Sequence, residues 1–396
     1  SGDGTIAPVT SDLVSTTHTV VVLPVTDAVG ITLDSISIDS GAGTVGAGSV
    51  VLNEPGTVTV NLDIAKLADP AAGGAADHDG SEVLTHIVVT GVPEGVSVTG
   101  ATFTGASFMN ATLVGANLRG AEMMGSNFSG SDFSRANLSG VQIVGANFSS
   151  ANFTSAVLNG VEAQGASFVR ANLTRADLSG AELHGVNFNG ATLAGANLSD
   201  SELFGATLAN VRAAGADFSD AEITASNLSN GDFSGADFSD AQLDGARLTG
   251  GRFARADFSD ASLRRTDIRG ADLSGSHLFR TDLRGANLRG ALLQDAVMVE
   301  VDLRDGSMAN KGSDGELKVI GFEPGPADMS STILVRADMA RAKLSGSFAA
   351  GADFSHSKLS DARLVRTDLR NSKFVGANLS GTDFSGADLR GADLTG

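Results

Sequence analysis

The chain is 396 residues long, with 46 acidic and 27 basic side chains for a formal net charge of −19, and it contains no Cys, Trp or Tyr. That composition excludes a disulfide framework, thiol chemistry and cysteine-ligated zinc, and runs such as Val20-Val21-Val22-Leu23 fall far short of the ~20 apolar residues that span a bilayer. Charge is uneven along the chain: residues 1–100 hold twelve acidic side chains and one Lys, against 34 acidic and 26 basic in the remainder.

The opening Ser1-Gly2-Asp3-Gly4 carries no signal-peptide pattern and reads as the middle of a longer chain, which is compatible with secretion. Short runs rich in Val, Ile and Thr follow at Thr17 to Val25, Val29 to Ile38, Ser49 to Leu52, Thr57 to Ile64 and Val83 to Thr90, separated by Gly, Pro and Asp. This is the pattern of an antiparallel sandwich. Gly41-Ala42-Gly43-Thr44-Val45-Gly46 matches the dinucleotide-binding GxGxxG, but Asn53-Glu54-Pro55-Gly56 follows too soon for the helix that such a site needs.

Asp77, Asp79 and Glu82 place three carboxylates within six residues, with Gly80 allowing a tight turn, and hard cations such as calcium take six to eight oxygen ligands. The alternative is a charged turn, since the spacing lacks a full EF-hand loop. Leu23-Pro24-Val25-Thr26-Asp27-Ala28, Asn53-Glu54-Pro55-Gly56 and Asp77-His78-Asp79-Gly80-Ser81-Glu82, running on to Gly95, resemble the Ig/cadherin-like repeats of giant RTX-type bacterial adhesins. The resemblance implies an Ig/cadherin-like β-sandwich module over 1–100, and it adds Asp27 and Glu54 to the calcium ligands. After Gly95, where that family's remaining strands would follow, a different pattern begins.

Every fifth residue from Phe103 to Leu303 is large and apolar except Ala163 and Ala213, and the residue two places before it is small. A period of five gives a single buried stripe on neither a helix nor a flat strand, and recurrent Gly at Gly115, Gly120 and Gly125 argues against helix. The chain must turn a corner every five residues. Phe108, Phe128, Phe148, Phe168 and Phe188 recur at intervals of 20, as do Phe218, Phe238 and Phe258, so four sides make one coil and the rings stack. A narrow filled shaft explains why the second inward position stays small. Units such as Ala116-Asn117-Leu118-Arg119-Gly120 and Ala236-Asp237-Phe238-Ser239-Asp240 resemble the pentapeptide-repeat family. The resemblance implies a right-handed, four-sided pentapeptide-repeat β-helix, a solenoid of all-β class, with Leu/Phe and Ala inside and Asp/Asn, Arg and Ser outside.

The repeat is expected over 101–304 and again over 334–396, one residue out of step, with an inserted loop or hairpin at 305–333. Asp314-Gly315 between polar and apolar flanks predicts the hairpin, Glu323-Pro324-Gly325-Pro326 stops any strand, and Phe322 is its anchor if the insertion binds a partner. Arg264, Arg265, Arg269, Arg280, Arg284 and Arg289 interleave with Asp267, Asp272 and Asp282, the pattern of a solvated mixed-charge face.

The six histidines, His18, His78, His86, His184, His277 and His356, lack the paired spacing of a zinc helix, and a convex rod offers no cleft for a triad. No enzyme is expected. Sequons such as Asn147-Phe148-Ser149 and Asn172-Leu173-Thr174 arise from the repeat itself. The expectation is a structural or adhesive extracellular protein, a segment of a bacterial surface or matrix assembly, with no nucleic acid bound and no membrane insertion. Its last unit, Ala392-Asp393-Leu394-Thr395-Gly396, is still in repeat. Open strand edges at both extremities make end-to-end self-association into filaments the expected assembly. The alternative is a DNA-mimicking pentapeptide-repeat protein that binds a topoisomerase. That alternative needs acidic columns along the rod, and the Arg-rich stretch counts against it.

Overall fold

The computed structural model describes residues 103–105, 107–304 and 327–396 in full, together with nine short strands within 17–90 and 310–318. From Ser107 onward each coil is held to the next by parallel β-bridges between residues 20 apart, beginning Ser107 to Asn127 and Thr112 to Asp132. One coil is therefore four pentapeptides. At the ordinary spacing of paired strands the roughly fourteen coils make a rod of about 65 Å.

Four bridged ladders, one per side, define four faces. Face I follows Glu122, Gln142, Glu162 and onward to Asp383; face II follows Ser107, Asn127, Asn147 and onward to Asp388. Face III runs from Thr112 to Asp393, and face IV from Asn117 to Asn378. On each side three backbone bonds join neighbouring coils. Phe148 N donates to Ser167 O at 2.7 Å and Ser150 N to Val169 O at 2.8 Å, while Asn147 N donates back to Ser126 O at 2.8 Å.

Between sides the chain turns, closed by a bond such as Ala151 N to Phe148 O at 3.0 Å. The residue before each closing donor has positive φ: Gly115 at 65° and Gly120 at 67°, but also Ser150 at 60°, Arg135 at 60° and Ala225 at 58°. Glycine reaches this left-handed region without cost, whereas other residues lose about 1–2 kcal/mol there. The inter-coil bond made by the same residue, such as Arg135 N to Thr154 O at 2.9 Å, offsets that loss.

The second residue of each unit explains the recurrent Asp or Asn. Its side-chain oxygen accepts the backbone N–H two residues on, as in Ser149 N to Asn147 Oδ1 at 3.0 Å and Ser134 N to Asp132 Oδ1 at 2.9 Å. This Asx turn is the local alternative to ladder pairing that these side chains favour. The position is thus more than an outward one: Asn147 also donates Nδ2 to Asn127 Oδ1 at 3.2 Å, linking coils through side chains.

Inside, the central Leu and Phe side chains from Leu118 to Leu369 are fully buried. Phe108, Phe128, Phe148, Phe168 and Phe188 stack with ring centroids 5.0 to 5.6 Å apart. Phe218, Phe238 and Phe258 stack at 4.9 Å on the opposite side of the shaft. A third column, Phe133 with Phe153 and Phe233 with Phe253, meets them edge-on, for example Phe148 to Phe153 at 5.3 Å. The small first position of each unit is set by these rings. A Cβ added at Gly251 would stand 2.6 Å from Phe253 Cε2. Where that position is Ser or Thr, the hydroxyl donates to a carbonyl of its own or the preceding coil, as Ser201 Oγ does to Leu198 O at 2.6 Å and Thr281 Oγ1 to Phe258 O at 2.8 Å.

The interruption is absorbed without loss of a coil. Asn287 bridges Asp328 and Leu292 bridges Ile333, 41 positions apart in place of 20, so 21 residues leave the coil and it closes across the gap. The repeat re-enters at Ala327, seven residues ahead of the expected 334, with Met329 buried at the centre of Ala327-Asp328-Met329-Ser330-Ser331. That unit was hidden in the sequence by its Met, its terminal Ser and the preceding prolines. Within the insertion, β8 (Asn310–Lys311) pairs antiparallel with β9 (Leu317–Lys318), in line with the hairpin expected around Asp314-Gly315. The turn itself and Phe322 lie outside the described residues.

Among residues 17–90 the pairing is antiparallel throughout. Strand β1 (Thr17–Val22) pairs with β6 (Val58–Asp63) in the register Thr17 to Asp63 through Val22 to Val58. Strand β3 (Ser35–Asp39) lies between β4 (Thr44–Val45) and β7 (His86–Thr90), and β2 (Ile31–Thr32) pairs with β5 (Val51–Leu52). The expected run Val29 to Ile38 is thus two strands. Thr44 and Val45, inside the GxGxxG stretch, are themselves paired with β3, so the helix of a dinucleotide site has no place there.

The buried ring column makes a sharp test. Phe148→Asp should lower stability by about 4 kcal/mol or more, because it buries an unpaired carboxylate between stacked rings. Asn147→Asp should change it by no more than about 1 kcal/mol, since the Asx acceptor survives and only the part-buried side-chain bond to Asn127 is lost. Thermal melts of the two variants measure the difference, and equal losses would contradict the inward and outward assignment.

Candidate interaction surface

With the shaft filled, chemistry is confined to the outward residues, three per unit. Faces I and IV are the acidic ones. On face IV the bridged ladder runs Asp177, Asn197, Asp217, Asp237, Asp257, and the corner beside it carries Asp200, Asp220, Asp240 and Asp260, exposed at successive coils. From Asp217 to Asp260, where both rows are complete, the 4.8 Å repeat gives one carboxylate per roughly 2.4 Å of rod. The face is neutralised at its far end only: Arg280 donates Nε to Asp260 at 2.6 Å, and His277 Nδ1 stands 3.9 Å from Asp257.

Face I carries Glu122, Glu162, Glu182, Glu202 and Glu222 in one ladder. Gln164 Nε2 donates to Glu182 at 2.5 Å, and His184 Nε2 lies 2.8 Å from Glu202. Beside these stand exposed Val144 and Phe204, the latter 51% exposed. The expectation that the rod lacks acidic columns is therefore corrected. The Arg-rich stretch begins only after residue 247, and summing charge along the chain hides columns that are 20 residues apart.

Five of those arginines, Arg304 with Asp302 among them, are matched within their own unit. Arg269 grips Asp267, Arg284 grips Asp282, Arg370 grips Asp368 and Arg390 grips Asp388, each through Nε and Nη2 at 2.6 to 2.8 Å. The DLR pattern thus builds a bidentate pair across the corner of one pentapeptide. Arg264 binds Asp244 on the preceding coil at 2.9 Å, and Arg336 and Arg341 reach back to Asp295 and Glu300 across the insertion. These pairs are solvent-exposed, so each adds little to stability.

The arginine bonds hold the Asp267 and Asp368 carboxyls below the usual carboxylate range, and bring Asp388 down to about 2. Asp77, Asp79, Glu82, Asp27 and Glu54, the expected calcium ligands, lie outside the described residues. Among the described residues no group of three or more His, Asp and Glu is arranged to hold a metal, and no helix is long and apolar enough to cross a membrane.

A four-sided parallel solenoid whose core is closed and whose outer faces carry the charged groups of the described residues is a surface-presenting repeat protein. The model of the pentapeptide-repeat family, "Pentapeptide repeats", matches this chain eight times, over 94–130, 131–168, 166–203, 201–240, 241–278, 276–308, 327–361 and 362–396. The chain belongs to the pentapeptide-repeat family. Among solved structures it is similar to HetL, a pentapeptide repeat protein involved in heterocyst differentiation regulation from the cyanobacterium Nostoc sp. strain PCC 7120, at 32% identity over 56% of this chain and 92% of that one, TM-score 0.24. It is similar to QnrB1, a plasmid-mediated fluoroquinolone resistance protein, at 19% identity over 50% of this chain and 92% of that one, TM-score 0.33. A pentapeptide repeat protein from the Arabidopsis thaliana thylakoid lumen shares 21% identity over 35% of this chain and 85% of that one, TM-score 0.16. No curated protein matches the chain.

Two measurements follow from this surface. The depressed carboxyls contribute stability that is complete above the unfolded carboxylate value of about 3.9 and is lost as pH falls through the lower folded values. Melting temperature should therefore fall between about pH 4 and 2, and the Arg370→Gln, Arg390→Gln double variant should lose part of that acid limb; an unchanged difference between the proteins at neutral and acid pH would contradict it. For the expected ion site, calcium should raise the melting temperature by linkage, and Asp77→Asn with Asp79→Asn should abolish the rise. A flat response in the parent, with flat titration calorimetry, leaves the motif as a charged turn.

Proposed function

We propose that this protein is a non-catalytic structural and adhesive rod, a segment of a bacterial surface or matrix assembly, working outside the cell. The observation that carries the reading is the closed shaft: stacked Phe columns and small first positions fill the interior over the described coils, so the rod presents surfaces and encloses nothing. The antiparallel strands of 17–90 support an Ig/cadherin-like sandwich preceding the rod, with calcium at Asp77, Asp79 and Glu82, joined by Asp27 and Glu54, stiffening the module. End-to-end self-association into filaments is part of this reading. Antibodies against the rod should label intact cells of the producing bacterium. Labelling that requires permeabilisation would overturn the extracellular reading.

A second reading, a DNA mimic that binds a topoisomerase, is favoured by face IV. From Asp217 to Asp260 its paired Asp rows carry about one charge per 2.4 Å of rod, against one per roughly 1.7 Å of axis in duplex DNA. In a supercoiling assay with a bacterial type II topoisomerase, the full chain should then inhibit, and Asp217→Lys with Asp237→Lys should relieve inhibition at least tenfold. Absence of inhibition at micromolar protein would rule this reading out.

A further inference from the structure

Face I differs from the other three faces in having two outward columns of opposite hydrogen-bonding character over a long run of coils. The ladder column is of acceptors: Glu162, Glu182 and Glu202, then Asp282 and Asp302. The column two residues on is of donors and apolar groups with one exception: Gln164, His184, Phe204 and Thr224, then the carboxylate Asp244, which stands opposite uncharged Gln242, then Arg264, Arg284 and Arg304. In the first half Glu182 and Glu202 are met within the chain by Gln164 and His184 of the preceding coil, Glu162 and Glu222 have no such partner on that column, and no Lys or Arg stands on this ladder between Glu122 and Gln242. Phe204 and Val144 are the exposed large apolar side chains beside this ladder, while Leu292, Ile333 and Phe348 stand on faces II and III.

We infer that face I is an interface between two copies of this chain, packed side by side, parallel and in register about a two-fold axis that runs along the rods. Such an axis sets the acceptor column of each copy opposite the donor column of the other at the same coil. Glu162 then meets the second copy's Gln164, whose Nε2 carries a second hydrogen beyond its bond to Glu182, Glu202 packs on the edge of Phe204, and Asp282 and Asp302 meet Arg284 and Arg304. Ser262 faces Arg264, and at Glu222 the opposite residue is Thr224, so no coil sets like charges against each other. Arg284 already binds Asp282 of its own chain through Nε and Nη2, which leaves Nη1 to donate across the interface.

The occupant is a second copy because the spacing selects it. Both columns repeat with the rise of one coil, and only a partner with the same rise stays in step over eight coils. An antiparallel arrangement about an axis across the rods would instead set ladder column on ladder column, with Glu182 on Asp282 when Phe204 is laid on Arg264, and is disfavoured by like charge. Eight coils present on the order of 24 outward residues from each copy, within the 20–30 residues a side of a standard interface. Each contact occurs twice, as a two-fold interface requires.

Because the chain has no cysteine, single cysteines report the register without background. Sedimentation equilibrium of the full chain should show a dimer that stops at two copies, unlike end-to-end assembly, whose mass grows with concentration. Phe204→Glu, which sets a carboxylate against the second copy's Glu202, should weaken the dimer at least tenfold without lowering the melting temperature, and adding Glu202→Arg should restore it. Under mild oxidation, a mixture of Glu202→Cys and Phe204→Cys chains should give the mixed disulfide in preference to either symmetric product. Preferred crosslinking of Phe204→Cys to Arg264→Cys would show an antiparallel pair and overturn the arrangement. A monomer at up to about 0.1 mM, or a dimer indifferent to Phe204→Glu, would overturn the interface itself.

Discussion

The parallel ladder between residues 20 apart is the constraint on which the rest of this molecule depends. Each side of each coil gives and receives backbone bonds from the coils above and below, so every side must have the same length and the shaft the same cross-section throughout. A filled shaft of fixed section admits one large and one small side chain per unit. Rings stack where Phe is central, and Gly251 is bare because Phe253 leaves no room for a Cβ. The insertion obeys the same constraint: 21 residues leave the coil, yet Leu292 finds Ile333 in the place its usual partner would take.

Turning a corner every five residues is the conflict built into this design, and the sequence resolves it locally. The left-handed residue that ends each unit is glycine where possible, and its inter-coil bond holds it in place where it is Arg, Asp or Asn. The Asx acceptor at the second position satisfies an N–H that the ladder leaves over. Interior hydroxyls are donated to carbonyls in nearly every case; Ser276 Oγ stands out as buried without a partner. Local preference, turn chemistry and packing point the same way, which is the condition for a unique fold.

Since the interior is spent on packing, function is a matter of how the outer columns are composed. A substitution at one coil alters one rung, whereas the same substitution every 20 residues creates a charged or apolar stripe. Face IV and the first half of face I are acidic stripes, while the second half of the rod is knitted into neutral pairs by Arg and Asp two residues apart. Charge is thus graded along a rod of constant shape. This gives recognition by surface pattern at fixed spacing, without a cleft.

Much of this was fixed by the sequence alone. The five-residue period, the inward Phe and Ala columns and the four-sided coil follow from steric fit, because a shaft that narrow permits few residue types and repeats its demand without exception. The N-terminal strands were legible as short runs rich in Val, Ile and Thr. The tertiary structure decided what depends on register. It showed that the coil closes across the insertion and resumes at Ala327, where a single Met-centred unit after two prolines carries little local signal. It also showed that the Asp and Asn of each unit brace the backbone, and that acidic residues 20 apart form continuous faces. Neighbours in space on this rod are twenty residues apart in the chain, so charge read along the chain averages over four faces that only the coil separates.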